Sequence, residues 1–120
     1  MNDRELLEMA ANAAGMKGWQ WVESWGSMAE KRLQGGFYFD RYWNPIEDDG
    51  DALRLAVKLG ILVQSECYDD YNDMYAAAYK YDNGVEIASV QVPYTSDPYS
   101  ASRWAIVQLA AILGRKMNEH

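Results

Sequence analysis

The first predicted helix lies near the start of the chain, where apolar residues recur at intervals of three and four. Asn2 or Asp3 can cap its start, because short polar side chains accept hydrogen bonds from first-turn amides. Gly15 stands where a helix ends in a left-handed residue. The face predicted to be buried consists of Leu6, Met9, Ala10 and Ala13.

The second predicted helix runs from about Asp49 to Leu59, within the stretch "WNPIEDDGDALRLAVKLGI". Pro45 closes the extended segment before it, because proline has no backbone N–H and restricts the preceding residue. Asp48 or Asp49 can cap the helix, and Gly60 ends it. Its apolar stripe is predicted to comprise Leu53, Ala56, Val57 and Leu59, with Ala52 and Leu55 at its sides.

The third helix is predicted to begin at Asp97 and Pro98, a cap followed by a first-turn proline. Arg115 and Lys116 fall in or after its last turn, where positive charge opposes the helix dipole. One apolar face is predicted to contain Ala105, Ile106, Leu109, Ala110 and Leu113.

Between the second and third helices the pattern changes to that of strands. Three short segments, "ILVQSEC", "MYAAAYKY" and "VEIASVQV", predict strands over 61–67, 74–81 and 85–92. The turn Asp82-Asn83-Gly84 joins the last two, because Asn and Gly tolerate the positive φ of tight hairpins. Brief strands are also predicted near Trp19 and near Phe37. The fold class is therefore α+β, with a central antiparallel β-sheet, a meander of about three to four strands, and three helices packed on it.

Size and charge narrow the classes of function. The chain has 120 residues, which predicts one compact domain over 1–120, and its net charge is −7, from 18 acidic and 11 basic residues. This balance argues against direct binding to nucleic acid or to an anionic membrane, both of which need basic patches. A single cysteine, and the lack of a signal peptide or a long apolar run, predict a cytoplasmic protein.

The inventory of catalytic side chains is small. The one histidine is His120, and the one cysteine, Cys67, ends a predicted strand and is interpreted as a partly buried, inert thiol. We therefore assign no catalytic residue, no metal ligand and no cofactor from the sequence, and interpret the protein as a non-enzyme.

Two clusters of carboxylates are the remaining candidates for a chemically active site. An EF-hand is excluded because position twelve is Gly60 when counted from Asp49 and Leu62 when counted from Asp51. Helix capping and a polar turn explain the clusters, and a divalent ion shared between them is the alternative, which would allow a small-ligand site or a weak hydrolase. The clusters are Glu47, Asp48, Asp49 and Asp51, and Glu66, Asp69, Asp70 and Asp73.

Aromatic residues outnumber what one small core needs, with five Trp and nine Tyr. Trp and Tyr dominate the energetics of protein interfaces, so their presence in loops beside acidic residues favours a protein-binding surface. The candidate surface consists of Trp25, Trp43, Asp48, Asp51, Tyr68, Asp69, Asp70, Tyr71 and Asp73.

Three segments resemble the phage ABA sandwich family, uncharacterised small proteins of tailed phages and prophages: "AAGMKGW", "YWNPIEDDGDALRLAVKLGI" and "SASRWAIVQLAAILGR". The resemblance omits residues 22–36, where this chain differs. It implies a central antiparallel sheet covered by helices and a phage origin, and it carries no activity or catalytic residues.

The expected function is that of a phage or prophage accessory protein that binds a host or phage protein in the bacterial cytoplasm. Its strongest form is an inhibitor of host antiviral defence, in the manner of an anti-CRISPR protein, in which acids and tyrosines occupy a basic nucleic-acid channel. Association of the chain with itself is left open.

Overall fold

The structure is a computed structural model that describes residues 2–68, 74–94 and 97–118, the side chains of 66–68 excepted. The helices are α1 (Asp3–Ala13), α2 (Asp49–Leu59) and α3 (Pro98–Asn118). The strands are β1 (Trp19–Val22), β2 (Ser27–Lys31), β3 (Phe37–Trp43), β4 (Leu62–Tyr68), β5 (Met74–Asp82) and β6 (Val85–Pro93). Helices and antiparallel strands occur together, which confirms the α+β class.

The strands form two separate three-stranded sheets, with orders β1-β2-β3 and β4-β5-β6, whereas the sequence predicted one central sheet. All strand pairs are antiparallel. The additional sheet arises because β2, "SMAEK", pairs with both predicted brief strands. Its sequence has no alternation of apolar and polar residues, so the pattern gave no sign of it.

The second sheet is the meander that the sequence predicted. Asn83 and Gly84 form the β5–β6 turn with φ of 53° and 80°, as expected for an Asn-Gly hairpin. α3 lies across one face of this sheet and contacts all three of its strands. Ala76 and Ala78 of β5 are fully buried in the common core, and their small side chains allow the helix to lie close to the sheet.

α3 is also the element on which α1 and α2 pack. Its start is capped as predicted, because Asp97 Oδ1 accepts hydrogen bonds from the amides of Tyr99 and Ser100, both at 3.1 Å. Asn12 of α1 donates through Nδ2 to the carbonyl of Gly114 at 3.1 Å. The predicted face of α3 is confirmed, since Ala105, Ile106, Leu109 and Ala110 are buried and Leu113 packs against them.

The predicted apolar stripe of α2 is confirmed at Ala56 and Leu59, of which the first is buried and the second packs against the core, and it is wrong at Leu53 and Val57. Leu53 and Val57 are 64% and 74% exposed, whereas the buried apolar positions are Ala52, Leu55 and Ala56. Both sets satisfy helical spacing, because apolar residues cover more than half of this short helix. The position of α3 decides which set is buried. In α1 the buried residues are Leu7, Ala10 and Ala11, so the predicted face is confirmed at Ala10, whereas Leu6, Met9 and Ala13 are half-buried.

Candidate functional site

The first acidic cluster begins α2. Asp48 is the N-cap: its backbone is extended, with φ of −112° and ψ of 120°, and its Oδ2 accepts from the amide of Asp51 at 2.7 Å. The prediction that Asp48 or Asp49 caps this helix is confirmed, for Asp48. Gly60 ends the helix in the left-handed conformation, as predicted, with φ of 66°.

Asp51 connects the Trp-Asn-Pro corner to α2. Its Oδ2 accepts from the backbone amide of Asn44 at 2.9 Å, and its Oδ1 accepts from Nη2 of Arg54 at 2.7 Å. Asp51 is only 8% exposed. The expectation that it belongs to an exposed contact surface is therefore wrong, because both of its carboxylate oxygens already serve the fold.

A third carboxylate of the cluster pairs with α3. Asp49 Oδ1 accepts from Nη1 of Arg103 at 2.6 Å, while Nε of the same arginine donates to the carbonyl of Ile46 at 2.8 Å. Arg103 thus holds the corner and the first turn of α2 against α3. Each of these three carboxylates therefore has a structural role: Asp48 caps α2, Asp51 binds the corner, and Asp49 pairs with Arg103.

Trp43 is buried, which corrects the expectation of an exposed contact residue. It is 7% exposed and is paired with Met28 of β2 across the first sheet. Both side chains belong to the common core, together with Ile46 of the corner. Because Trp43 stands next to the Asn44-Pro45 turn, it was predicted to be an aromatic residue of a loop. In the structure it is the last residue of β3, and its ring points inward.

Most of the second acidic cluster lies outside the described residues. Asp69, Asp70, Tyr71 and Asp73 lie outside the described residues, and of Tyr68 only its backbone position at the end of β4 is described. The interpretation of Cys67 as an inert thiol likewise concerns a side chain outside the described ones. In the part of the chain that is described, no three or more His, Cys, Asp or Glu side chains are grouped as metal ligands are.

Trp25 stands at the centre of an aromatic cluster on the first sheet. Its ring centroid lies 6.2 Å from that of Phe37, in an edge-to-face arrangement, and 6.2 Å from that of Phe39. These separations are within the range of favourable aromatic pairs. Phe39 nevertheless remains 86% exposed, and Trp25 is also exposed. The sequence identified Trp25 as a candidate, but not the two phenylalanines that position it.

A second group of side chains lies along β3. The guanidinium carbon of Arg41 lies 4.4 Å from the ring centroid of Tyr38, and that of Arg32 lies 5.8 Å from it. Arg41 Nη1 also donates to Oε1 of Glu30 at 2.9 Å. This hydrogen bond, with the negative charge of Glu30, raises the pKa of Arg41 above its ordinary value.

We call this region the β3 surface. Within the described residues β3 pairs only with β2, so it is an edge strand at one border of the sheet. Alternation of Phe37 and Phe39 with Tyr38 predicted the strand, but alternation alone does not show which side chains stay exposed. The β3 surface consists of Trp25, Phe37, Tyr38, Phe39, Arg41 and Tyr42.

An open cavity of about 310 Å³ lies between the end of α1, the end of β3 and one face of α2. Trp43 and Leu55 contribute to its apolar wall, and Arg54 and Lys58, one turn apart on α2, are its basic residues. Its volume is at the lower end of small-molecule sites. The sequence did not indicate it, because its walls come from three separate elements.

Comparison of the chain with protein-family models, with curated proteins and with solved structures gave no match. The resemblance to phage ABA sandwich proteins therefore stays a prediction. Among the helices of the described residues, none has the length and apolar character needed to cross a membrane.

Proposed function

We propose that this protein is a non-catalytic protein-binding module whose contact surface is the β3 surface. The observation that carries this proposal is Trp25 held at 6.2 Å from both Phe37 and Phe39 in an exposed position. Trp, Tyr and Arg are the side chains that dominate binding energy at protein interfaces. Tyr38 and Arg41 lie on the edge strand β3, and Trp25, from the turn between β1 and β2, packs against Phe37 and Phe39 of that strand.

The β3 surface is also held in place before binding. Arg41 is fixed by Glu30 at 2.9 Å and by the ring of Tyr38, while the two phenylalanines restrict the ring of Trp25. Ordering a side chain at an interface costs roughly 0.5–1.5 kcal/mol, so side chains that are already ordered lose less on association. Such preorganisation favours a protein partner over a transient, nonspecific contact.

The partner we propose is a host protein of a bacterium, with the phage-like sequence segments as the reason. A net charge of −7 favours a partner with a basic region, because opposite potentials attract and steer association. In the strongest form of the proposal, the protein inhibits a host antiviral defence within the bacterial cytoplasm by occupying a basic site on one of its components.

Capture from a bacterial lysate tests the proposal, with the intact chain as bait. Phe39→Ala should weaken capture of a stoichiometric partner, because truncating a central aromatic costs about 2 kcal/mol, or roughly thirtyfold in Kd. Leu53→Ala is the matched control, since Leu53 is an exposed apolar residue on α2, outside the β3 surface. Equal capture by both variants, or no partner for the wild type, contradicts the proposal.

The defence-inhibition form has a separate test in cells. Expression of the wild type should raise phage plating in bacteria that carry the targeted defence, and Phe39→Ala should lose this effect. Unchanged plating across cells with different defence systems contradicts the inhibitory role, while the binding proposal is judged by capture alone.

A second candidate function is binding of a small anionic ligand with an apolar part in the cavity of about 310 Å³. Arg54 and Lys58 supply positive charge beside the apolar wall of Trp43 and Leu55. A panel of aromatic carboxylates and phosphates should raise the melting temperature of the wild type, and Lys58→Gln should reduce the increase. No stabilisation by any member of the panel contradicts this candidate.

The divalent-ion version of this candidate needs its own titration. Mg²⁺, Mn²⁺ and Ca²⁺ at millimolar concentration should release or absorb heat and raise the melting temperature if the carboxylate clusters bind an ion. Asp48, Asp49 and Asp51 already have protein partners, so an ion would have to displace them or use other ligands. No heat and no thermal shift contradicts this version.

A further inference from the structure

Asn44 lies between the β3 surface and the start of α2. It directly follows Trp43, the last residue of β3, and it precedes Pro45 of the Trp-Asn-Pro corner. Its backbone amide donates to Oδ2 of Asp51 at 2.9 Å, and its backbone carbonyl accepts from the amide of Asp48 at 2.9 Å. The main chain of Asn44 is therefore fixed to the start of α2.

The side chain of Asn44 makes two hydrogen bonds of opposite sense. Its Nδ2 donates to the carbonyl of Gly26 at 3.1 Å, and its Oδ1 accepts from the amide of Ile46 at 3.1 Å. A backbone carbonyl can only accept and a backbone amide can only donate, so these two partners fix the orientation of the Asn44 amide. Aspartate at this position would supply the acceptor alone, because an ionised carboxylate has no hydrogen to donate to Gly26.

Gly26 directly follows Trp25 in the turn between β1 and β2. The amides of Trp25 and Gly26 both donate to the carbonyl of Val22 at 3.0 Å, which closes the turn on the end of β1. The hydrogen bond from Asn44 is a different attachment, because it joins the turn to the end of β3. Trp25 belongs to the turn, and the two phenylalanines that pack against it belong to β3. The Asn44 side chain therefore links the two parts of the aromatic cluster.

We infer that Asn44 is the positioning residue of Trp25 in the β3 surface. This role rests on the proposed function, in which Trp25 contacts the partner. Without the Nδ2 donor of Asn44, the turn keeps its own hydrogen bonds, but Trp25 gains freedom relative to β3. A side chain that is ordered before binding loses less conformational entropy on association. Asn44 therefore contributes to affinity through the ring of Trp25 instead of by direct contact with the partner.

Fluorine NMR of the full chain, labelled with fluorotryptophan, tests this role without a partner. Trp25→Phe identifies the signal of Trp25 among those of the five tryptophans. In Asn44→Asp a second acceptor faces the carbonyl of Gly26, so the Trp25 signal should shift or broaden. Asn44→Ser should have the same effect without an added charge, because serine lacks Nδ2 but can still accept from the amide of Ile46.

Asn12→Asp is the matched control. Asn12 of α1 also donates through Nδ2 to a backbone carbonyl, that of Gly114, at 3.1 Å, and it lies outside the β3 surface. This variant makes the same chemical change and should lower the melting temperature comparably, while the Trp25 signal stays in place. An unchanged Trp25 signal in both Asn44 variants overturns the inference. An equal change of the Trp25 signal in Asn12→Asp also overturns it, because the effect would then follow from lower stability.

Capture of the partner is the second measurement. Asn44→Ser should weaken the Kd roughly tenfold, as expected for the loss of one hydrogen bond, and Asn12→Asp should leave it unchanged. In a chain that carries Trp25→Ala, Asn44→Ser should cause no further loss, because Asn44 acts through that ring. An equal loss with and without Trp25 overturns the positioning role. If the Trp25 signal moves in the Asn44 variants but the wild type captures no partner, the positioning of Trp25 is supported and the protein-binding proposal fails.

Discussion

Gly114→Ala should destabilise the protein, because Gly114 marks the closest approach of α1 and α3. A Cβ built on Gly114 would lie 1.9 Å from the carbonyl oxygen of Met9 and 2.8 Å from its carbonyl carbon. Both atoms belong to the backbone of α1, so no side-chain rotation relieves the contact. The helices must move apart by roughly 1 Å, which disturbs the packing of Leu7 and Ala10.

The net effect follows from two opposing magnitudes. Alanine is favoured over glycine inside a helix by about 0.8–1 kcal/mol. Overpacking of a tight core costs about 1–3 kcal/mol, and more where rigid backbone is displaced. A contact of 1.9 Å with rigid backbone belongs at the upper end of this cost, so we expect a net loss of about 2 kcal/mol in the free energy of unfolding, which corresponds to a melting temperature lower by about 5–10 °C.

Gly50→Ala is the matched control. Gly50 also lies in a helix, but its built Cβ would meet only the ends of the Arg54 and Asp48 side chains, at 3.2 Å. The Arg54 guanidinium can move, and the helix preference of alanine offsets a disturbance of the Asp48 cap, so this variant should be within about 1 kcal/mol of the wild type. Urea unfolding followed by circular dichroism measures both variants. Equal stability of the two, or a more stable Gly114→Ala, would refute the reasoning about helix approach.

Two further substitutions test the contacts that define the start and the end of α2. Asp51→Ala should lower the free energy of unfolding by about 1–3 kcal/mol in urea titration, because it leaves the amide of Asn44 without its acceptor; a loss below the error of the titration contradicts this role. Lys80→Met should lower it by about 0.3–1 kcal/mol, because Lys80 Nζ donates to the carbonyl of Leu59 at 2.5 Å, at the negative end of the helix dipole. If 0.5 M salt does not reduce the difference between Lys80→Met and the wild type, the charge is not the cause.

Local signals in the sequence predicted the ends of elements well. The end of α2 at Gly60 and the hairpin turn at Asn83 and Gly84 were predicted and are observed, and α2 is capped by Asp48, one of the two residues predicted for that role. These features depend on the conformational preferences of a few adjacent residues. Such preferences are the same in any fold, so one short stretch of sequence is sufficient to indicate them.

The candidate site was predicted less well, because exposure is decided by distant neighbours. Trp43 and Asp51 were expected at the surface, yet β2 and Arg54, respectively, hold them in the interior or close to it. The sequence predicted Phe39 only as part of a strand, although Phe39 is among the most exposed aromatic residues of the described chain. Sequence composition indicated an excess of aromatic residues, but it did not show that the exposed residues Phe39 and Tyr42 lie on β3.

The sequence by itself determined the α+β class, the three helices, their caps and the β4–β5–β6 meander, because each follows from local periodicity and turn chemistry. Only the tertiary structure decided that β2 completes a separate sheet, which face of α2 is buried, and that three acids of the first cluster support the fold. These outcomes depend on pairing and packing between residues far apart in the chain. The free energy of such contacts depends on the assembled structure, and no single segment contains it.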